Sequence, residues 1–428
     1  MGQQVPAYRL IHNSARHEPF ILYYEPDCET SMLQTPLHSP TSWRGKARTL
    51  LEPTVVIVCT LVLTIFVIGL CVLIVSGNNP VGRDVVSFWA AGQQIVHHAN
   101  PYDSASVLKI ERSVGFSQQS QVLLMRNPPS ALLLVIPLGF IGLRAASLLW
   151  SLLLLAAIIL SVHMLWAMQD RPRNKLHYLA YSFAPALLCI LGGQTALFAL
   201  LGLVLFLRFH QSRPFVAGLS LWLCALKPHL FLPFAAVLLL WVISRRMYRL
   251  LAGAALAIAS SSLIAWLLDP SIWSQYTRML QASGIQAEFI PCLSVALRFA
   301  IHRQTMALQS ISVVVACLWA INFYWKRRDQ WNWLQDGALL MLVSVFASPY
   351  AWITDQAVLI PALFVGVYRA TTRAQLAVLA LASAAIELSQ VLGANLHSVQ
   401  YLWTAPFWLA WYLYVCAKSC DQASQRSL

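Results

Sequence analysis

Charged side chains are scarce in this sequence. Only 11% of its 428 residues are Asp, Glu, Lys or Arg, whereas 58% are hydrophobic, and the mean hydropathy is +0.63. Soluble globular domains carry about 25% charged residues, so this composition argues against a soluble protein. The apolar runs are about 20 residues long, the length of a membrane-spanning helix and too long for a barrel strand. We therefore predict an all-α, polytopic membrane protein.

Several motifs are also absent. The nine cysteines include no CxxC pair, and most lie within or next to apolar runs, so we predict neither a zinc site nor a disulfide framework. No GxGxxG or Walker sequence is present, so we expect no nucleotide-binding fold. Nothing in the sequence requires a metal or another cofactor, and we predict none.

Basic residues outnumber acidic ones by 29 to 16, and they lie mainly in short gaps between the apolar runs. This distribution is typical of the cytoplasmic loops of membrane proteins. We therefore expect membrane lipids as partners, and no nucleic acid.

The first 50 residues are polar and rich in Pro, Ser and Thr, without the apolar segment of a signal peptide. We predict that residues 1–50 are a disordered cytoplasmic tail, because basic residues stand directly before the first apolar run, 55–76. Residues 77–128 then form a long first extracytoplasmic loop. The transmembrane domain occupies 51–418, and 419–428 is a second cytoplasmic tail.

The later apolar runs form pairs between basic clusters, which places the tips of the hairpins outside the cell. We predict about twelve crossings with both termini in the cytoplasm. Residues 145–168 cross, whereas 128–140 contain prolines and are short, so we predict a re-entrant or interfacial segment there. The predicted pairs are 176–191 with 195–208, 214–226 with 228–243, 248–268 with 306–325, 336–348 with 355–369, and 374–393 with 403–417.

The 16 carboxylates are few enough to sort by predicted side. Asp84 directly follows the first span and starts the helix VVSFWAAGQQ; it is either a helix cap, worth about 1 kcal/mol, or a functional acid. Asp355 has the same two explanations at its helix. Glu387 lies within a span, where an acid is costly, so it is functional, or neutral, or bonded to nearby polar side chains. Those neighbours are Ser383, Ser389 and Gln390.

The order of motifs on the predicted outer side resembles glycosyltransferase family 87. The similarity runs from about residue 80 to 365. Members of this family are polytopic transferases of the GT-C superfamily, and they include polyprenyl-phosphate-mannose-dependent α-mannosyltransferases. The motifs are DVVSFWAAG from Asp84, PYD from Pro101, NPP from Asn127, GGQTALF from Gly192, AGLSLWLCALKPHLFLPF from Ala217, and SPYAWITDQAVL from Ser348.

This resemblance implies a hexosyltransferase of the bacterial plasma (inner) membrane. Such an enzyme takes a sugar, mannose by analogy, from a polyprenyl-phosphate donor and transfers it to a lipid-linked or cell-envelope glycan acceptor on the extracytoplasmic face. The proposed catalytic base of the family, an aspartate after the first span, matches Asp84. Other matching positions are Gln194, Lys227 with Pro228, and Ser348, Pro349 and Trp352. The mannosyltransferases have a His pair after this tryptophan, where the present chain has Thr354 and Asp355.

The chemistry of glycosyl transfer independently requires these residue types. The transition state resembles an oxocarbenium ion, and the acceptor hydroxyl needs a carboxylate that takes its proton. The leaving lipid phosphate needs cationic or amide donors. Lys227, His229 and Arg83 are the first candidates, followed by Arg126 and Arg298. The alternative for Lys227 and Arg83 is a contact with lipid headgroups alone.

Four aromatic residues near the motifs are candidates for stacking on a sugar, although membrane-interface aromatics are also common without a ligand. They are Phe88, Trp89, Tyr102 and Trp352. Asp355 completes the set of candidate substrate-binding residues. The pair His97 and His98 has no partner at metal-ligand spacing.

Two other functions remain open. A transporter or flippase of lipid-linked sugars would share the basic tips and the aromatic lining, and inverted internal repeats would favour it. The sequence has no convincing repeat at a fixed period. A non-catalytic membrane scaffold is the third hypothesis, for which loss of Asp84 should have no effect.

Overall fold

All regular elements of the described chain are helical. The computed structural model describes residues 57–70, 72, 83–116, 122–284 and 287–427, and no strand occurs among them. The predicted all-α fold is confirmed. The predicted cytoplasmic tail, 1–50, lies outside the described residues. Within the predicted second tail, 419–428, the last helix continues to Ser427.

The first part of the fold consists of one peripheral helix, three shorter helices and one long helix. They are α1 (Ile57–Leu70), α2 (Arg83–Val96), α3 (Ser104–Ser113), α4 (Leu132–Val135, between the 3-10 turns Pro129–Ala131 and Ile136–Phe140) and α5 (Leu143–Met168).

Twelve further α-helices follow in the described chain, with 3-10 turns at Leu176–Ala180, Pro228–Phe231, Ile353–Leu359 and Val399–Tyr401. The helices are α6 (Ala184–Gly192), α7 (Ala196–Phe209), α8 (Pro214–Cys224), α9 (Leu232–Ser244), α10 (Tyr248–Leu268), α11 (Ile272–Ala282), α12 (Leu293–Ile301), α13 (Leu308–Arg327), α14 (Asp336–Phe346), α15 (Ile360–Arg369), α16 (Arg373–Val391) and α17 (Thr404–Ser427).

Four described helices are long and apolar enough to cross a membrane: α5, α10, α13 and α16. Shorter apolar helices occupy several other predicted spans, among them α7, α8 and α14. An eleven-residue helix such as α8 rises only about 16 Å, roughly half of a 30 Å hydrocarbon core. The helix lengths therefore do not confirm twelve crossings, and that number stays a prediction.

The segment Pro129–Phe140 is a short broken helix, because the 3-10 turns on either side of α4 both contain proline near their first position. Its twelve residues are too few to cross a bilayer alone. This length agrees with a re-entrant or interfacial segment, while its position in the membrane stays a prediction.

The core lies among α2, α5, α6, α7 and α15. Every residue of α15 is buried, and so is nearly every residue of α6. By contrast, α10 and α13 expose large apolar side chains such as Leu267 and Leu318, which suits an outer position facing lipid.

Two glycines join α2 to the Pro129–Phe140 segment. A Cβ on Gly92 would lie 2.4 Å from the Val135 carbonyl oxygen, and one on Gly139 would lie 2.3 Å from the Gly92 carbonyl oxygen. The side chain of Gln93 donates to the Gly139 carbonyl at 2.6 Å, and the Trp89 indole donates to the Ile141 carbonyl at 2.8 Å. The backbone contact and these two bonds fix the position of α2.

We predict that Gly92→Ala lowers the free energy of unfolding by about 1–3 kcal/mol, because the added methyl group meets backbone atoms that have no room to move. Thermal unfolding of the detergent-solubilised protein, followed by tryptophan fluorescence, measures this loss. Gly69→Ala is the matched control, since a Cβ there has no neighbour within 4 Å. Equal melting temperatures for the two variants would contradict the close packing of α2.

Candidate functional site

Three of the predicted site residues form one polar cluster. The Lys227 ammonium donates to the Gln194 side-chain oxygen at 2.8 Å and to Asp355 Oδ1 at 2.5 Å. The side chain of Lys227 is 10% exposed and that of Asp355 is 0% exposed, so this is a buried ion pair. We call Gln194, Lys227 and Asp355 the tip cluster, because each lies at a turn between helices.

Local structure places each of these side chains. Gly193 ends α6 with a φ of +73°, a conformation that favours glycine, and the chain then enters α7 with Gln194 in the turn. Lys227 stands between α8 and the 3-10 turn that Pro228 starts. Asp355 Oδ2 accepts the backbone N–H of Trp352 at 2.9 Å. Asp355 therefore lies inside the 3-10 turn Ile353–Leu359 and bonds back to the residue that precedes this turn, and it does not stand before the helix as the predicted N-cap.

Asn127 connects the turn that contains Gln194 to the turn that contains Lys227. Its side-chain amide donates to the Leu226 carbonyl at 2.9 Å and lies 3.4 Å from the Thr195 hydroxyl. Leu226 and Thr195 are the neighbours of Lys227 and Gln194. The NPP motif was visible in the sequence, but the structural role of Asn127 was not predicted, because its partners lie 68 and 99 residues away.

Helix α2 begins beside the same tips. Val85 contacts Gly193 so closely that a Cβ on the glycine would lie 2.2 Å from Val85 Cγ2. The Trp150 indole donates to the Gly193 carbonyl at 2.8 Å. Asp84, one residue before Val85, is half-buried and lies within the first turn of α2, where the helix dipole favours a negative charge. The structure thus brings the Asp84 backbone next to the tip cluster.

A second group of side chains surrounds the turn at Lys227 and Pro228, which we call the Lys-Pro tip. The His229 ring stacks on Tyr350 with 3.9 Å between ring centroids, and the Ser348 hydroxyl donates to the His229 carbonyl at 3.1 Å. Burial raises the pKa of the Tyr350 phenol; the Asp355 carboxylate raises it further, whereas the Arg126 guanidinium lowers it. Tyr350 therefore lies within electrostatic range of both charges. Sequence reasoning missed Tyr350.

An ion pair lies at the partly exposed rim of this region. Arg126 donates two bonds to Glu288, of 3.0 and 2.6 Å, and the Tyr276 hydroxyl donates to the Arg126 carbonyl at 3.2 Å. These bonds from Arg126 hold the pKa of the Glu288 carboxyl below its usual range. Tyr276 packs against Tyr102 with centroids 5.4 Å apart. Nearby, Trp352 packs edge-on against His397 at 4.6 Å.

Three buried polar atoms of this region have no hydrogen-bond partner among the described residues. They are Tyr102 Oη, His229 Nε2 and Thr354 Oγ1. Buried polar groups are rarely left unpaired in native proteins. A polyhydroxylated ligand such as a sugar, or ordered water, would provide the missing partners.

Other predicted residues have different surroundings. Phe88 is 4% exposed and packs on Trp150 at 5.1 Å, which favours its packing explanation. Trp89 is bonded to the Ile141 carbonyl. Arg83 is the first residue of α2, and its side chain is not described.

In the described ranges no group of three or more His, Cys, Asp or Glu is placed to hold a metal ion.

Glu387 lines a different, mostly apolar cavity of about 260 Å³ between α1, α15 and α16. Its predicted hydrogen-bond partners all bond elsewhere: Ser383 donates to Ser182, Ser389 donates to Ala385, and Gln390 bonds Ala394 and Tyr401. The structure therefore contradicts the bonded alternative for Glu387, because nearby backbone and hydroxyl oxygens accept the protons of these side chains instead.

We predict that Lys227→Met and Asp355→Leu each reduce the free energy of unfolding by about 3–5 kcal/mol, since each leaves the partner charge buried alone. The double variant should lose less than the sum of the single losses. Denaturant titration followed by tryptophan fluorescence measures these differences. Lys109→Met, which removes an exposed lysine, serves as the control. Additive losses would show that Lys227 and Asp355 do not interact.

Comparison with known proteins identifies the family of this chain. No curated protein and no solved structure matches the chain. The family model described as glycosyltransferase family 87 matches residues 126–349, just over half of the 428 residues. The match includes Asn127, Gln194 and Lys227; it begins after Asp84 and ends before Asp355. The chain belongs to glycosyltransferase family 87, of the GT-C superfamily, and is a membrane glycosyltransferase.

Proposed function

We propose that the protein is a hexosyltransferase that takes a sugar, mannose by family analogy, from a polyprenyl-phosphate donor. The acceptor is a lipid-linked or cell-envelope glycan. The observation that carries this proposal is the convergence of the tip cluster with the start of α2, where Asp84 lies. A carboxylate and a cation on adjacent elements are the two groups that this transfer needs.

The reaction takes place on the extracytoplasmic face of the bacterial plasma (inner) membrane, with both termini in the cytoplasm. Support comes from the basic residues, which lie mainly in the gaps on the opposite side from the hairpin tips. A polyprenyl carrier remains in the bilayer, so its phosphate lies at the membrane surface, at the level of such tips.

Asp84 is the catalytic base. The acceptor hydroxyl oxygen forms a bond to the anomeric carbon of the sugar while the bond from that carbon to the phosphate oxygen breaks. The electron pair of the broken bond stays on the phosphate, and the acceptor proton moves to the Asp84 carboxylate. A single displacement of this kind inverts the anomeric configuration of the donor.

Lys227 stabilises the charge that develops on the leaving phosphate. An ammonium group has three N–H donors, and in the described chain two of them are used by Gln194 and Asp355. The third is available to a phosphate oxygen. Gln194 and Asp355 are positioning residues in this mechanism, because they fix the direction of the remaining donor.

Four of the remaining candidates bind the sugar or the lipid headgroup. His229 and Tyr102 each have a buried polar atom that lacks a partner among the described residues, which suits hydrogen bonds to sugar hydroxyls. Trp352 is half-buried and offers an aromatic surface at the rim. We assign Phe88 and Trp89 to support of α2 beneath the sugar, and Arg83 to contact with lipid phosphate.

We predict that Asp84→Asn reduces the turnover number by about 10²–10⁴-fold, because the amide cannot accept the acceptor proton. The assay uses purified full-length protein, a membrane lipid extract as acceptor, and synthetic polyprenyl-phosphate-mannose with its glucose and arabinose analogues. Asp103→Asn is the matched control: it removes an acid from the same predicted loop that only caps α3, through the Ser106 N–H.

Two results would contradict the proposal. Full activity in a folded Asp84→Asn variant would exclude Asp84 as the base. A wild-type protein that transfers none of the three sugars, but moves labelled carrier across liposomes, would establish a transporter of lipid-linked sugars instead.

A further inference from the structure

The ion pair of Arg126 and Glu288 has the geometry of an anion-binding site that the protein itself occupies. The two guanidinium nitrogens Nη1 and Nη2 each donate to a different carboxylate oxygen, at 3.0 and 2.6 Å. Arginine binds a phosphate through the same pair of parallel hydrogen bonds. A phosphate group would therefore fit where the Glu288 carboxylate now lies.

The backbone of Arg126 is held firmly, whereas its side chain is accessible. Tyr276 binds the Arg126 carbonyl, and the next residue, Asn127, is bonded to the tips that contain Gln194 and Lys227. The side chains of Arg126 and Glu288 are 36% and 27% exposed. Partly exposed ion pairs contribute little to stability, so this pair can separate without loss of the fold.

The position of Arg126 connects it to the tip cluster. Asn127, the next residue, donates to the carbonyl of Leu226, which precedes Lys227. The Arg126 guanidinium also lowers the pKa of the Tyr350 phenol, which the Asp355 carboxylate raises, so Arg126 and Asp355 both act on the same side chain. Two cations on neighbouring elements suit the phosphate of the carrier, which has a single negative charge in the sugar-bearing diester and about −1.5 to −2 charges once it is released as a monoester at neutral pH.

We propose that Arg126 binds the phosphate of the lipid carrier and that Glu288 occupies this position in the empty enzyme. This inference rests on the proposed function, since it names the group that takes the carrier phosphate. Binding of the carrier separates Arg126 from Glu288. The Glu288 carboxylate thus competes with the substrate and lowers the affinity of the site for anions.

The test measures binding without any sugar transfer. Full-length protein in phosphatidylcholine nanodiscs is titrated with farnesyl phosphate, a short isoprenyl phosphate, and separately with inorganic phosphate. We expect Glu288→Gln to tighten the binding of farnesyl phosphate about three- to fivefold, the upper range for release of a partly exposed ion pair. Asp329→Asn is the matched control, because Asp329 forms an exposed ion pair with Arg328 at 3.8 Å.

Arg126→Gln should weaken the binding of farnesyl phosphate about tenfold, the loss expected for a charge-assisted pair of hydrogen bonds. Adding Glu288→Gln to this variant should then produce no gain in affinity, because residue 126 no longer has a cation for the Glu288 carboxylate to occupy. Arg126→Lys keeps the charge but loses the paired geometry, and should bind farnesyl phosphate with intermediate affinity.

An unchanged dissociation constant in Glu288→Gln would overturn the proposal. So would an equal gain in the Arg126→Gln background, or a gain limited to inorganic phosphate. If the binding pattern holds but the wild-type protein transfers no sugar, the phosphate site is correct and the proposed function is wrong.

Discussion

The buried ion pair between Lys227 and Asp355 is the contact on which the arrangement of the hairpin tips depends. A charge inside an apolar bundle is tolerated only when an opposite charge and hydrogen bonds compensate it. Lys227 and Asp355 are 128 residues apart in the sequence, and each needs the other. Their pairing therefore brings the Lys-Pro tip to the turn before α15, while Gln194 completes the hydrogen bonds of the ammonium.

The proposed base and the proposed cation belong to two separately supported parts of the fold. Asp84 is carried by α2, which rests on the Pro129–Phe140 segment through the contact of Gly92 and Gly139. Lys227 is carried by the tips that Asn127 joins. The contact between Val85 and Gly193 connects the two parts. The geometry of the reaction would thus be held by close backbone contacts and buried hydrogen bonds. The partly exposed pair of Arg126 and Glu288 is the contact that we propose to exchange with the carrier phosphate.

The apolar runs allowed the helical class to be predicted. The tip residues could be predicted because they lie in the turns between those runs and match motifs of the family that the sequence resembles. The sequence did not allow the partners to be predicted. Asn127, Tyr350 and Glu288 act through contacts with residues 68 to 162 positions away, which no local pattern encodes. Apolar run length also overestimated helix length, since prolines and 3-10 turns shorten the regular helices in several predicted spans. The hydrogen bonds considered as one alternative for Glu387 do not form, because nearby backbone oxygens accept from the same donors.

A bound donor must lie between Lys227 and Asp84. A cryo-EM structure of the full-length protein with a non-hydrolysable polyprenyl-phosphate sugar in a nanodisc measures its position directly. The donor phosphate should lie within hydrogen-bond distance of Lys227, and the anomeric carbon should face Asp84 on the side opposite the phosphate. A donor bound elsewhere, such as in the apolar cavity beside Glu387, or with its anomeric carbon turned away from Asp84, would contradict the central claim that these tips form the transfer site.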